Sequence, residues 1–289
     1  MEETTTAAPL IVLGATSLIG RYLAADLRAQ DRPFVAISRQ PPADGGAEWI
    51  KGDIHEDDLA AKLPRAHTAL SLAPIWLLPP ALTALATAGV KRVVAFSSTS
   101  RMVKANSPVA SERAVAARLA EGEEHTAGFC EANGIAWTIL RPTLIYSEGE
   151  DANVSRLAAL IRRFKVLPLS GFGGGLRQPV HAGDLAQAAL AVVDREQTFN
   201  RTYDLPGGET LTYRVMAERV FEGLGSSPRI IAVPPPLWRL GLKLMGPRLP
   251  GATAAMGARM GEDLAFDAAP ARRDFDWSPR PFRPVFVTR

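Results

Sequence analysis

The chain has 289 residues, 47% of them apolar and 22% charged, with 33 Lys and Arg against 30 Asp and Glu. This composition excludes a disordered or fibrous protein, and charges interleaved along the chain exclude the basic stripe that nucleic acid requires. A lone cysteine, Cys130, excludes an intrachain disulfide and points to a reducing compartment, the cytoplasm; four scattered histidines give no metal site.

In chain order, the start MEETTTAAPL is acidic and polar, unlike the basic opening of a signal peptide. An apolar strand, PLIVLG, then runs into a helix from about Leu18 to Ala29, with Gly14 and Gly20 bracketing the junction. Such a turn lets backbone N–H groups face a pyrophosphate, and the helix dipole adds to the attraction. Gly14 permits the tight turn and Gly20 close packing. The midway position, glycine in the dinucleotide fingerprint, is Ser17, whose Cβ takes room but whose hydroxyl can donate to a phosphate. The same spacing also suits mere packing; as the opening of a strand–helix series it reads as nucleotide binding.

The second strand, PFVAIS, ends at Ser38 and Arg39, with no carboxylate before Asp44. A cofactor lacking the 2′-phosphate usually meets Asp or Glu here, whereas a guanidinium suits the phosphate. An ordinary surface arginine is the alternative. AEWIKGD and HEDDLAAKL form the next strand and helix. Thr68 to Val90 then carries no charge over 23 residues and is long enough to cross a membrane, but Pro74, Pro79 and Pro80 break it into a buried strand and a short helix. KRVVAFSS follows, then a long helix opening at Ser107-Pro108 and closing at Gly134, then the strand AWTILRP.

This alternation predicts an α/β fold, a doubly wound parallel sheet with helices on both faces. The second half changes character: a glycine-rich loop LSGFGGGLRQP, a helix HAGDLAQAALAVVD with Asp184 as its expected cap, a strand RTYDL and a helix TYRVMAERVFEGLG. The expected division is 1–147 for nucleotide binding and 148–289 mainly for substrate, with about 178–206 returning to the first part. Leu237 to Arg248, LWRLGLKLMGPR, reads first as a substrate lid and second as a peripheral membrane contact.

The motifs GATSLIG (14–20), GDIHEDDL (52–59), VVAFSSTS (93–100), WTILRPTLIY (137–146), RQPVHAGDLA (177–186) and YDLPGGETLTY (203–213) resemble, in order, the short-chain dehydrogenase/reductase superfamily. The likeness is to its extended or atypical branch, the NAD-dependent epimerase/dehydratase-like proteins, and covers nearly the whole chain. It implies a Rossmann-type fold with a smaller C-terminal substrate-binding part. The cofactor would meet Gly14, Thr16, Ser17, Leu18, Ile19 and Gly20 at its phosphates, and Ser38 and Arg39 at the adenosine ribose. Asp53 and Ile54 would flank the adenine. Leu72, Ala73 and Pro74 would line the nicotinamide side, Ser97 would join the cofactor site from the end of the fifth strand, and Pro142, Thr143 and Leu144 would pack against the nicotinamide. Arg177, with Ser98 and Arg101, would meet a nucleotide-linked sugar or a similar carbonyl substrate.

The departure concerns catalysis. The superfamily uses a Tyr-x-x-x-Lys pair with a Ser or Thr, here Thr99 or Ser98, to exchange a proton while hydride moves. Between Tyr22 and Tyr146 there is no tyrosine. Either register of the long helix puts Val109 and Arg113, or Val115 and Leu119, in the pair's places. Lys104 and Tyr146 are the substitutes the sequence offers, although Lys104 reads more readily as an exposed loop lysine. His125 reads as solvated. Two functions stay open: an NADP-dependent oxidoreductase or epimerase-like enzyme with displaced acid and base (NAD being the second choice of cofactor), and a catalytically silent binding protein with a structural, assembly or sensing role.

Overall fold

The structure is a computed structural model that describes residues 8–43, 45–46, 48–245 and 254–286. Asp44 and the last three residues of the 237–248 segment lie outside the described residues.

Elements in chain order are β1 (Leu10–Leu13), α1 (Leu18–Ala29), β2 (Phe34–Ser38), β3 (Trp49–Lys51), α2 (Leu59–Lys62), β4 (Thr68–Ser71) and α3 (Leu82–Thr87). Then come β5 (Arg92–Phe96), α4 (Ser100–Val103), α5 (Ala110–Ala132), β6 (Ala136–Pro142), β7 (Ile145–Tyr146), α6 (Val154–Phe164), β8 (Leu167–Ser170), β9 (Leu176–Arg177) and β10 (Val180–His181). The chain continues with α7 (Ala182–Ala191), β11 (Arg201–Leu205), β12 (Leu211–Thr212), α8 (Tyr213–Gly223), β13 (Ile230–Val233), α9 (Pro235–Met245), α10 (Ala254–Arg259) and α11 (Ala269–Phe275).

Seven strands form one sheet in the order β11-β6-β5-β4-β1-β2-β3, every pair parallel. The expected α/β fold is present. Successive β1 side chains separate onto opposite faces: Leu10 and Val12 pack with α1 and α7, Ile11 and Leu13 with α3 and α5. Both faces are covered, which is why LIVL and TALS are continuous buried runs without alternation. The chain reverses direction across the sheet between β1 and β4, the switch point where open α/β sheets bind ligands.

Helix α7 packs on α1, and β11 forms an edge of the sheet beside β6. Helix α11, which the sequence pattern did not reveal, packs there too: Phe275 and Trp277 join the α1–α7 core, and Asp274 accepts the Tyr203 hydroxyl at 2.8 Å. A smaller core holds Tyr146, Leu157, Ile161, Leu169, Phe221 and Phe282.

Two helix starts differ from expectation. Helix α5 begins at Ala110, because Ser107 spends its hydroxyl on Glu112 and accepts from the amide of Val109, forming a turn ahead of the helix. Helix α7 is capped by His181, whose Nδ1 accepts from the amide of Gly183 at 3.0 Å. Asp184 instead clamps the C-terminal segment, accepting from the amide and guanidinium of Arg280.

Candidate functional site

The site is built on the carboxyl ends of β1, β2, β4, β5 and β6. At the end of β1, Gly14 takes φ +79°, and a Cβ there would sit 2.7 Å from the amide nitrogen of Ala73. Only glycine accommodates both the backbone angle and the approach of the Leu72–Ala73 backbone. A Cβ on Gly20 would lie 2.5 Å from the carbonyl oxygen of Gly14 and 2.6 Å from Ala15. The two glycines thus hold the turn flat beneath the helix.

Ser17 is the N-cap of α1, its Oγ accepting from the amide of Gly20 at 3.1 Å. That explains serine at the midway position: its oxygen satisfies one amide of the helix start, and its proton remains available to an anion. The amides of Leu18 and Ile19 have no acceptor among the described residues, and the first turn of α1 carries no acid. Thr16 is exposed beside them. Unpaired amides, a positive helix end and no competing carboxylate make an anion site.

Beyond β2, Ser38 accepts from the amide of Gln40. Arg39 is 82% exposed, with its Nε 3.8 Å from the Asp53 carboxylate, too loose a contact to hold the guanidinium. Asp53 also accepts from the amide of His55, and Ile54 packs on the α3–α5 core. On the other side of β1, Leu72 is buried, donating its amide to Leu13 across the β1–β4 boundary.

The end of β5 departs from the expected arrangement. Thr99 is buried and donates its hydroxyl to the carbonyl of Pro142 at 3.1 Å, while Ser98 Oγ accepts from the amide of Ser100. Ser97 donates to Glu123 at 2.5 Å. Glu123 lies on α5, 5% exposed, and receives both the Nε (2.9 Å) and a terminal nitrogen of Arg141, with the Arg101 Nε at 3.4 Å. Asp204 stands 4.0 Å behind Arg141, and burial raises its carboxyl above the ordinary range. The α5 face turned to the sheet therefore carries a buried ionic cluster centred on Glu123. Glu123 went unassigned from the sequence, yet a signal existed: Ala116, Leu119, Glu123, Thr126 and Cys130 make one buried stripe, and a carboxylate inside it needs a cation.

Tyr146 is a core residue, which corrects its candidacy as an acid. It is 1% exposed, its ring edge-on to His181 and Phe282, and burial pushes the phenol away from neutral-pH chemistry. Arg177 is corrected too. Its guanidinium donates to the carbonyls of Leu176 (2.6 Å), Glu262 (2.8 Å) and Arg259, and lies over Tyr213, so it ties the chain after α10 to β9 and has no hand free for a substrate anion. Lys104, five residues past Thr99, is half-buried, with no carboxylate within 4 Å among the described residues. His125 is exposed, as expected. Pro142 is buried at the end of β6, Thr143 donates to the carbonyl of Gln178, and Leu144 packs on the smaller core.

Residues 80–205 match the family model of the NAD dependent epimerase/dehydratase family. That match spans 126 of the chain's 289 residues. An Arabidopsis thaliana protein, NADH dehydrogenase [ubiquinone] 1 alpha subcomplex subunit 9, mitochondrial, is 25% identical over 260 residues, covering 78% of this chain and 60% of that protein. This chain thus spans less than two thirds of that relative. In fold, this chain is similar to the epimerase Mth375 from Methanothermobacter thermautotrophicus (TM-score 0.73, 17% identity, 96% of this chain and 89% of that one). It is also similar to MoeE5 in complex with UDP-glucose and NAD (TM-score 0.70, 20% identity, 94% of each chain). No helix of the described residues is long and apolar enough to cross a membrane.

Proposed function

We propose that this protein binds a nicotinamide dinucleotide across the β1–β4 switch point and keeps it as a ligand, without the tyrosine-dependent chemistry of its relatives. The observation that carries this reading is the pairing of an open phosphate cradle with a long helix that offers no acid and base. The glycine turn leaves two helix amides for the pyrophosphate, while α5 has no tyrosine or lysine, and its inward-facing carboxylate, Glu123, is held by Ser97 and Arg141. The cofactor would supply a hydride; the residues at hand bind and orient it, and α5 holds no phenol or ammonium to move the matching proton. An assembly or sensing role fits this, and the likeness to a subunit of an NADH dehydrogenase subcomplex supports it. A reducing compartment such as the cytoplasm belongs to the reading, supported by Cys130, a buried thiol whose pKa burial pushes up to about 12.

Arg39 favours the 2′-phosphorylated cofactor over NAD, although MoeE5 carries NAD. Titration of the protein's fluorescence is expected to give tighter binding of NADPH than NADH by roughly tenfold, about 1.4 kcal/mol, and Arg39→Ala should erase the difference. Equal affinities in the unaltered chain would refute the preference and leave the dinucleotide site standing.

One observation favours a second reading, an oxidoreductase or epimerase-like enzyme on a nucleotide-linked sugar: Lys104 stands unpaired just past Thr99, and neighbours of this fold bind UDP-sugars. NADPH oxidation with keto-sugar nucleotides, quinones and small ketones separates the two. The proposal expects no turnover above a rate about 10²–10⁴-fold below that of a tyrosine-assisted enzyme. Fast turnover abolished by Lys104→Ala or Thr99→Ala, with cofactor affinity unchanged, would establish the enzyme.

A further inference from the structure

We propose that the edge of the smaller unit formed by α6, the β8–β13 ribbon and α9 docks on an anionic membrane surface. Seven large hydrophobic side chains are exposed among the described residues, and five belong to this edge: Phe164, Phe172 at 80%, Ile231, Leu237 and Leu240. The fold brings them together. Strand β13 pairs with β8 from Ile230 against Leu167 to Val233 against Ser170, and Gly171 extends the pairing to Val233. Phe172 is thereby delivered beside Pro235 and Trp238, around one open cavity of about 520 Å³. Leu237 and Leu240, three residues apart on α9, share a face of that helix.

Charge selects the partner. Residues 152–183 and 223–261 contain ten Lys and Arg and no Asp or Glu, which leaves 23 cations against 30 acids in the rest of the chain. Of these ten, Arg177 is spent on backbone carbonyls and Arg259 on Glu112, so the cations counted for this edge are those on and just beyond α6 and before β13. Arg156, Arg162, Arg163 and Lys165 are exposed along and just beyond α6, and none has a carboxylate within 4 Å among the described residues. Arg229 is exposed just before β13.

Exposed apolar side chains together with cations that lack a carboxylate partner match the boundary between acyl chains and anionic headgroups: the former enter the boundary and the latter neutralise lipid phosphates. A second copy fits poorly, because two such edges would bring like charges together. Free polyanions would use the cations but have no use for Phe172, Leu237 and Leu240. With no membrane-crossing helix among the described residues, the attachment is peripheral.

The test is co-sedimentation of the whole chain with phosphatidylcholine vesicles, with and without phosphatidylglycerol, at low and physiological salt. Binding is expected at least tenfold stronger to the anionic vesicles, weakening as salt rises. Leu237→Ser with Leu240→Ser should reduce it about tenfold, and Arg162→Glu with Arg163→Glu should remove the preference for anionic lipid. Met102→Ser, at an exposed apolar position outside the edge, should bind like the unaltered protein. All these sites are exposed, so unchanged thermal melting will certify the fold. Absence of binding, equal binding to neutral and anionic vesicles, or indifference to the Leu237 and Leu240 changes would overturn the proposal. So would a dimer in solution that the same two leucine changes dissolve, which would assign the edge to a second copy.

Discussion

Replacing Glu123 by alanine is expected to destabilise the fold by about 3–5 kcal/mol, the cost of leaving a buried cation without its partner. The carboxylate receives Ser97 and two nitrogens of Arg141, with Arg101 close by, and only 5% of the residue is exposed. Its removal strands the Arg141 guanidinium at the end of β6, with only the more distant Asp204 nearby. In a domain of this size the melting temperature should fall by roughly 10 °C. Glu123→Gln keeps the shape and one acceptor and should cost less. The decisive comparison is the double replacement Glu123→Leu with Arg141→Met, which removes both charges and should recover most of the loss. If Glu123→Ala melts within a degree of the unaltered protein, the cluster does not hold α5 to the sheet.

Gly20→Val is expected to lower dinucleotide affinity by on the order of a hundredfold, about 2.7 kcal/mol. The contacts a side chain would meet are backbone atoms of Gly14 and Ala15 at 2.5 and 2.6 Å, and backbone cannot swing aside as a flexible side chain does. The turn must lift, taking the amides of Leu18 and Ile19 out of line with a phosphate. Fluorescence titration with NADPH measures the loss. Gly128 provides the control. It lies exposed in the interior of α5, where a Cβ would meet nothing within 4 Å, so Gly128→Ala should stabilise the protein by roughly 0.5–1 kcal/mol and leave binding unchanged. Tight NADPH binding by a folded Gly20→Val protein would show that the cofactor does not use this turn.

The sequence by itself determined what depends on neighbours a few residues apart. LIVLGATSLIG specifies strand, tight turn and helix because apolar period, glycine conformation and serine capping all act within one or two turns of chain, and α1 spans Leu18–Ala29 as read. Prolines 74, 79 and 80 split the uncharged run for the same local reason, into β4 and α3 with short turns between. The absence of a tyrosine on the long helix needed no structure at all. What only the tertiary structure decided was the occupation of polar side chains. Arg177, by sequence a ligand for a substrate anion, is taken up by carbonyls 82 and 85 residues away. Asp184, by sequence a helix cap, is claimed by Arg280 across 96 residues. Glu123 becomes the centre of the site's ionic network through Ser97 and Arg141, 26 and 18 residues distant on two different strands. A charged side chain has several partners open to it, of similar energy, along an unfolded chain. Which one it keeps is set by the desolvation that folding imposes, and that is a property of the packed molecule and not of any segment.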